Sequence, residues 1–188
     1  IATVPKFFMN HLQPQALEFM EREIVLASER YIGKSVFPKT LEGVEIGAYL
    51  LVTFDGDNME ALEEITEKAS EVVLEAGALD VLVADTPAKK KDAWAARSSF
   101  LEAIEAETKL LDECDVVVPV NQIAPYLHYV NEVGKKYDFT VKSFGHAGDG
   151  KNFLANFSGE VNMRLMRGIK EVFDPKMILN PNKVCYKA

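Results

Sequence analysis

Basic residues are scarce in this chain. Lys and Arg number 21 against 29 Asp and Glu, giving a formal charge of −8 over 188 residues. A surface that acidic has no electrostatic reason to track phosphate backbones, which argues against nucleic-acid binding. Cysteine is scarcer still. Cys114 and Cys185 sit in no Cys-x-x-Cys or Cys/His spacing, so neither a disulfide framework nor a zinc knuckle is encoded, and a reducing, cytoplasmic setting is expected. Long apolar runs are also missing. The longest, Ile46 to Phe54, is about half of the roughly 20 residues a membrane helix requires and reads as a buried strand, so any membrane association is expected to run through partners. The N-terminal Ile1-Ala-Thr-Val-Pro5 has neither an initiator Met nor a basic-then-apolar signal pattern and reads as the start of a fragment.

What is present is 48% hydrophobic content, enough for one well-cored domain or for two small ones. Residues 1–44 read as a leading segment, with a helical patch around Gln15 to Arg30 that stops at Gly33 and Phe37-Pro38-Lys39. Ala48 to Phe54 is rich in β-formers and runs into the turn Asp55-Gly56-Asp57. Asp57 stands three residues before Glu60, a capping-box spacing, and Leu62, Ile65, Ala69, Val72 and Val73 follow at helical intervals until Gly77. Leu79 to Ala84 reads as a second strand. Thr86-Pro87 then opens a long helix that carries Trp94, Arg97, Leu101 and Ile104. The cycle repeats with a short strand at Asp115–Pro119, a helix capped by Asn121 and bearing Leu127 and Val130, and a strand over Phe139–Phe144. Two strand–helix–strand units match an α+β fold, a ferredoxin-like split βαβ core over 45–146 with an antiparallel sheet, helices on one face, and helical flanking segments, although period alone does not separate this from a small parallel α/β sheet. Residues 147–188 are left to site loops and a C-terminal tail.

The densest polar and glycine cluster is Ser143-Phe-Gly-His146-Ala-Gly-Asp149-Gly150, directly after a strand. Its glycines let the backbone turn sharply and approach a ligand closely. A His beside an Asp serves as metal ligand, proton acceptor or hydrogen-bonded turn residue, and the residues alone leave site and structural turn open.

Phe144-Gly-His146-Ala-Gly-Asp149-Gly150, with Phe173-Asp-Pro-Lys-Met-Ile-Leu-Asn180-Pro-Asn-Lys183-Val184, resembles the C-terminal domain of FAD-linked oxidases of the glycolate oxidase subunit and D-lactate dehydrogenase type. Ala16-Leu-Glu-Phe-Met20 resembles that family's opening motif, Trp94-Ala-Ala-Arg97 its helical Trp-x-x-Arg, and Asp115-Val-Val-Val-Pro119 the strand that follows. There are departures. The family continues Gly-Asp-Gly-Asn-x-His, where the second His is a metal ligand in metal-dependent members, but this chain reads Gly148-Asp-Gly-Lys151-Asn152-Phe153. The family's Ser-Gly-Glu-His-Gly likewise becomes Ser158-Gly159-Glu160-Val161. Several dozen residues usual between and after these motifs are lacking, so no spacing argument across 150–161 holds.

The resemblance implies roles residue by residue. His146 is the metal ligand or base near the flavin, and Arg97 clamps the substrate carboxylate through its two-pronged guanidinium. Glu160 supplies a carboxylate oxygen to a divalent metal such as zinc, alongside His146. Asn180 and Lys183 contact the flavin. Asp149 sits between glycines and reads chiefly as a turn residue, and Trp94 as core. The chain as a whole is then expected to be the substrate or cap domain of an FAD-dependent oxidoreductase that oxidises a D-2-hydroxy acid, of the D-lactate or glycolate type, to the 2-oxo acid. Its own FAD-binding domain, which precedes this one in the family, is expected to be a partner absent from this chain; an electron-transfer flavoprotein or an iron–sulfur subunit is a further one. The competing reading is a non-catalytic ferredoxin-like ligand-binding or subunit-contact module.

Overall fold

The computed structural model describes residues 3–116, 118 and 122–147, together with Arg164 and Gly168. The chain divides into two compact units, 1–147 and 148–188. In the second unit the two described residues are helical and exposed.

The first unit is α+β with an antiparallel sheet, as its sequence predicts, but its central strand lies where a helix was expected. Strand β1 (Ala16–Glu21) is followed at once by helix α2 (Arg22–Ile32). The stretch Ala-Leu-Glu-Phe-Met-Glu is made of good helix formers, and burial overrides that preference: a strand packed on both faces gains more from alternating large side chains than from local propensity. β1 pairs antiparallel with β4 (Ala48–Thr53) in the register Ala16↔Thr53 to Glu21↔Ala48. On its other side it pairs with β5 (Phe144–His146), Glu18 opposite His146 and Met20 opposite Phe144. The order is therefore β4-β1-β5. A small hairpin, β2 (Thr40–Leu41) and β3 (Val44–Glu45), stands apart.

Successive side chains of β1 point to opposite faces, and each face has its own core. Leu17 and Phe19 join Val4 and Phe7 of α1 (Val4–Met9), Leu12, and Ala69 and Val72 of α3 (Met59–Glu75). Met20 joins Ile24 and Val25 of α2 and Phe100 and Ile104 of α5 (Phe100–Glu107). Helices thus cover both faces of the sheet, not one, because the central strand is apolar on both sides.

Other expectations need correction. The run 79–84 forms no strand, and Leu79, Leu82 and Val83 are exposed; β-formers without a neighbouring strand have nothing to pair with. Residues 115, 116 and 118 are likewise irregular. In the run 139–144 the strand begins only at Phe144, although the Ser143 carbonyl already accepts the Glu21 N–H at 3.0 Å. Just before it, the Glu21 carboxylate accepts the Ser143 N–H at 3.1 Å. The cap of α3 is Asn58, not Asp57, accepting the Ala61 N–H at 2.9 Å. The long helix after Thr86 breaks at Ser99 into α4 (Pro87–Ser98) and α5. Trp94 is exposed, since the face of α4 that packs inward carries Ala93 and Ala96. The helix α6 (Ile123–Tyr137) carries Leu127 and Val130 as expected, while Asn121 lies outside the described residues. No helix among the described residues is long and apolar enough to cross a membrane.

Candidate functional site

Glu18 is the one charged side chain among the inward positions at the middle of β1, and its side chain is only 4% exposed. A buried carboxylate is costly unless paired, and both of its oxygens are used. Arg97, on α4, donates from Nε (3.0 Å) and Nη2 (2.9 Å) to Oε2. His146, directly opposite on β5, places Nδ1 2.5 Å from Oε1. Arg97 is also flanked by aromatic rings, with its guanidinium carbon 5.2 Å from the Phe100 ring centre and 5.0 Å from that of Phe144. The two rings pack edge to face at 5.2 Å, so the cation rests in an aromatic corner.

The fold supplies these positions locally. Alternation along β1 puts Glu18 on the same face as Met20, toward α4 and α5. Phe144 and His146 are two apart on β5, so both lie on that face, the first packed in the core and the second at its rim. Ala93, Ala96 and Phe100 recur at helical spacing and seat α4 and α5 inward, bringing Arg97 to the strand. The imidazole is 80% exposed although its Nδ1 is tied to a buried group. Its Nε2 has no hydrogen-bond partner among the described residues.

The two residues singled out from sequence, Arg97 and His146, therefore do converge, but on Glu18. Sequence reasoning missed Glu18 itself. The available signal was an acid enclosed by Leu17, Phe19 and Met20, with a lone arginine on a later helix able to match it. A polar cavity of about 230 Å³ lies elsewhere, lined by Asn131, Lys135, Asp138 and Thr140 among others at the end of α6. Asp149, Glu160, Asn180 and Lys183 lie outside the described residues. Among the described residues no three His, Cys, Asp or Glu side chains come together to hold a metal ion. Glu18 has both oxygens engaged, which leaves one imidazole nitrogen as a donor.

The sequence matches FAD linked oxidases, C-terminal domain, over residues 1–151 and 150–184. The chain belongs to this family. It is 54% identical to a D-lactate dehydrogenase of Anaerostipes hadrus over all of this chain and 50% of that protein. A D-lactate dehydrogenase of Archaeoglobus fulgidus is 30% identical over 93% of this chain and 46% of its own length. The glycolate oxidase subunit GlcD of Bacillus subtilis is 31% identical over 98% and 48%. The chain thus spans about half the length of these curated relatives. The alignment with the first runs over 235 positions against 188 residues here, so that relative carries residues within the matched stretch that this chain lacks. The two segments of the family match meet at Gly150 and Lys151, where the His-Ala-Gly-Asp-Gly cluster departs from the family pattern.

Proposed function

We propose that this chain is the substrate-side domain of an FAD-dependent oxidoreductase that converts a D-2-hydroxy acid of the D-lactate or glycolate type to the 2-oxo acid. The observation that carries the reading is His146: an exposed imidazole in the family's glycine cluster, anchored at Nδ1 and open at Nε2. Oxidation of the alcohol removes a hydride from the α-carbon and a proton from the hydroxyl. Bound FAD supplies the hydride acceptor. His146 receives the hydroxyl proton at Nε2, the ring nitrogen left without a partner among the described residues. Arg97 gives Nε and Nη2 to Glu18, so any clamp on the substrate carboxylate is left to its Nη1 edge. Neither Asn180 nor Lys183 is needed for this reading of the described residues, and flavin contacts by both are a separate part of the proposal. The described residues do not make a metal site, and the reading assigns no step to zinc. The described elements carry no glycine-rich loop opening a helix that would cradle the cofactor's phosphates, so the FAD-binding domain is assigned to the other half of the protein.

The test is anaerobic mixing of the full-length flavoprotein with D-lactate, glycolate and D-2-hydroxyglutarate. Bleaching of the oxidised flavin by at least one of them, with stoichiometric 2-oxo acid, is expected. A flavin that none of the three reduces would reject the reading.

A further inference from the structure

Glu18 has no part in the family resemblance as a site residue, and burial alone does not explain it. Its neighbours Leu17, Phe19 and Met20 are apolar, and a Leu at position 18 facing an uncharged residue at 97 would fill the same space without the cost of drying two charges. What a Leu cannot do is hold an imidazole. Glu18 and His146 are a directly opposed cross-strand pair, which fixes the distance between them through the backbone ladder. Arg97 then fixes the carboxylate itself, because two donors on Oε2 leave Oε1 aimed along the sheet at His146.

We infer that Glu18 is a positioning residue that locks His146 in one tautomer, with hydrogen on Nδ1 and the free lone pair on Nε2 pointing out of the fold. A carboxylate gripped by a guanidinium is an acceptor only, so the Nδ1 it touches must carry the hydrogen. In the neutral ring Nε2 is then the basic atom, and the ring cannot turn without giving up its bond to Glu18. This is the logic by which a buried acid orients a general-base histidine or a metal-binding one. The inference rests on the proposed role of His146 for its consequence in catalysis, but the tautomer is a property of the protein alone.

The experiment uses full-length protein labelled with ¹⁵N-histidine, and the signal lost in His146→Gln assigns the ring. Long-range proton–nitrogen spectra, recorded where the ring is neutral, are expected to show Nδ1 protonated and Nε2 bare. Glu18→Gln keeps the volume and the bonds to Arg97 through its carboxamide oxygen, while its NH₂ faces Nδ1 and demands a lone pair there. The tautomer should invert. In the same variant kcat on the hydroxy acid should fall about 10²- to 10⁴-fold with KM nearly unchanged, and Glu18→Asp should recover part of the loss. A wild-type ring protonated on Nε2, or a Glu18→Gln ring that keeps the wild-type tautomer, would overturn the inference, whereas an inverted ring with undiminished kcat would reject His146 as the base and with it the functional reading. Should Glu18→Gln fail to fold, the wild-type spectrum still decides it. A wild-type protein that no hydroxy acid reduces would sink the functional reading and leave the tautomer result standing.

Discussion

Glu18 and His146 stand directly opposite one another on β1 and β5, and the 4%-exposed carboxylate holds the 80%-exposed ring by one nitrogen. The contact joins the dry interior to the surface. On the interior side Arg97, its guanidinium set beside the Phe100 and Phe144 rings, holds the carboxylate; on the outer side Nε2 is left open among the described residues. In the proposed reading, orientation is set by buried parts and chemistry is offered by an exposed one.

The first prediction separates stability from positioning in this trio. Arg97→Met strips a buried carboxylate of its cation and should cost about 3 to 5 kcal/mol in a urea titration. Adding Glu18→Leu removes the stranded charge, so the double variant should regain most of that loss. It should nevertheless remain far below wild type in kcat, because His146 has lost its anchor. Equal destabilisation of single and double variants would mean that the pair stabilises the fold outright.

The second prediction concerns acid. Burial alone would raise the Glu29 carboxyl, but the Lys39 ammonium and the Phe37 and Val36 N–H groups outweigh it and hold the group below the ordinary 4.5. Glu107 is lowered as well, by hydrogen bonds from Lys142 and Arg30. A group depressed in the folded state contributes stability above its unfolded value and loses it as pH falls through the folded one. Stability should therefore hold down to about pH 4.5 as far as these two groups are concerned and decline below it. Denaturant midpoints for wild type and Lys142→Met from pH 6 to 3 would check this; the variant should show the shallower decline.

These networks also mark where sequence reading stops. Strand β4 and helices α3 and α4 were legible because their signals are local: β-formers before a turn, the helical spacing of Leu62, Ile65, Ala69 and Val72, Thr86 as a cap, and Pro87 in the first turn. β1 was not, because its composition favours a helix and its strand state depends on β4 and β5, about 30 and 130 residues away. Residues 79–84 show the converse, strand-like composition with no partner. For the site, motif order pointed to Arg97 and His146 but not to the acid between them. Their meeting on Glu18 depends on a ladder register and a helix seating that one-dimensional spacing does not encode.

A third prediction tests the seam between α2 and the α4–α5 break. Ser28 is fully buried, donating to the Ala96 carbonyl at 2.6 Å and lying 3.0 Å from the Ser99 hydroxyl. Ser28→Ala removes a hydroxyl from a dry contact and should cost about 1 to 2 kcal/mol in thermal or urea unfolding. Since this seam seats α4, kcat should also drop slightly through Arg97. A neutral effect on stability would show that Ser99 alone serves the Ala96 carbonyl, to which it also donates at 3.1 Å.

The last prediction concerns the approach to β5. Helix α6 ends at Asp138, which adopts the left-handed conformation (φ 57°, ψ 48°), and the chain folds back so that the Phe139 N–H bonds the Gly134 carbonyl at 3.0 Å. A Cβ on Gly134 would stand 2.8 Å from Val141 Cγ2 and 2.9 Å from the Phe139 carbonyl oxygen. The methyl group of Val141 can turn away, but the backbone oxygen is fixed by the same reversal that the Gly134 carbonyl closes. Gly134→Ala should therefore destabilise by about 1 to 3 kcal/mol despite the better helix propensity of alanine. Asp138→Gly, which relieves a side chain in the left-handed region, should be neutral or slightly stabilising. Because residues 139–143 lead directly into Phe144 and His146, Gly134→Ala should also lower kcat by loosening the ring against Glu18. Wild-type urea midpoints in Gly134→Ala would show that the turn yields more readily than this packing implies.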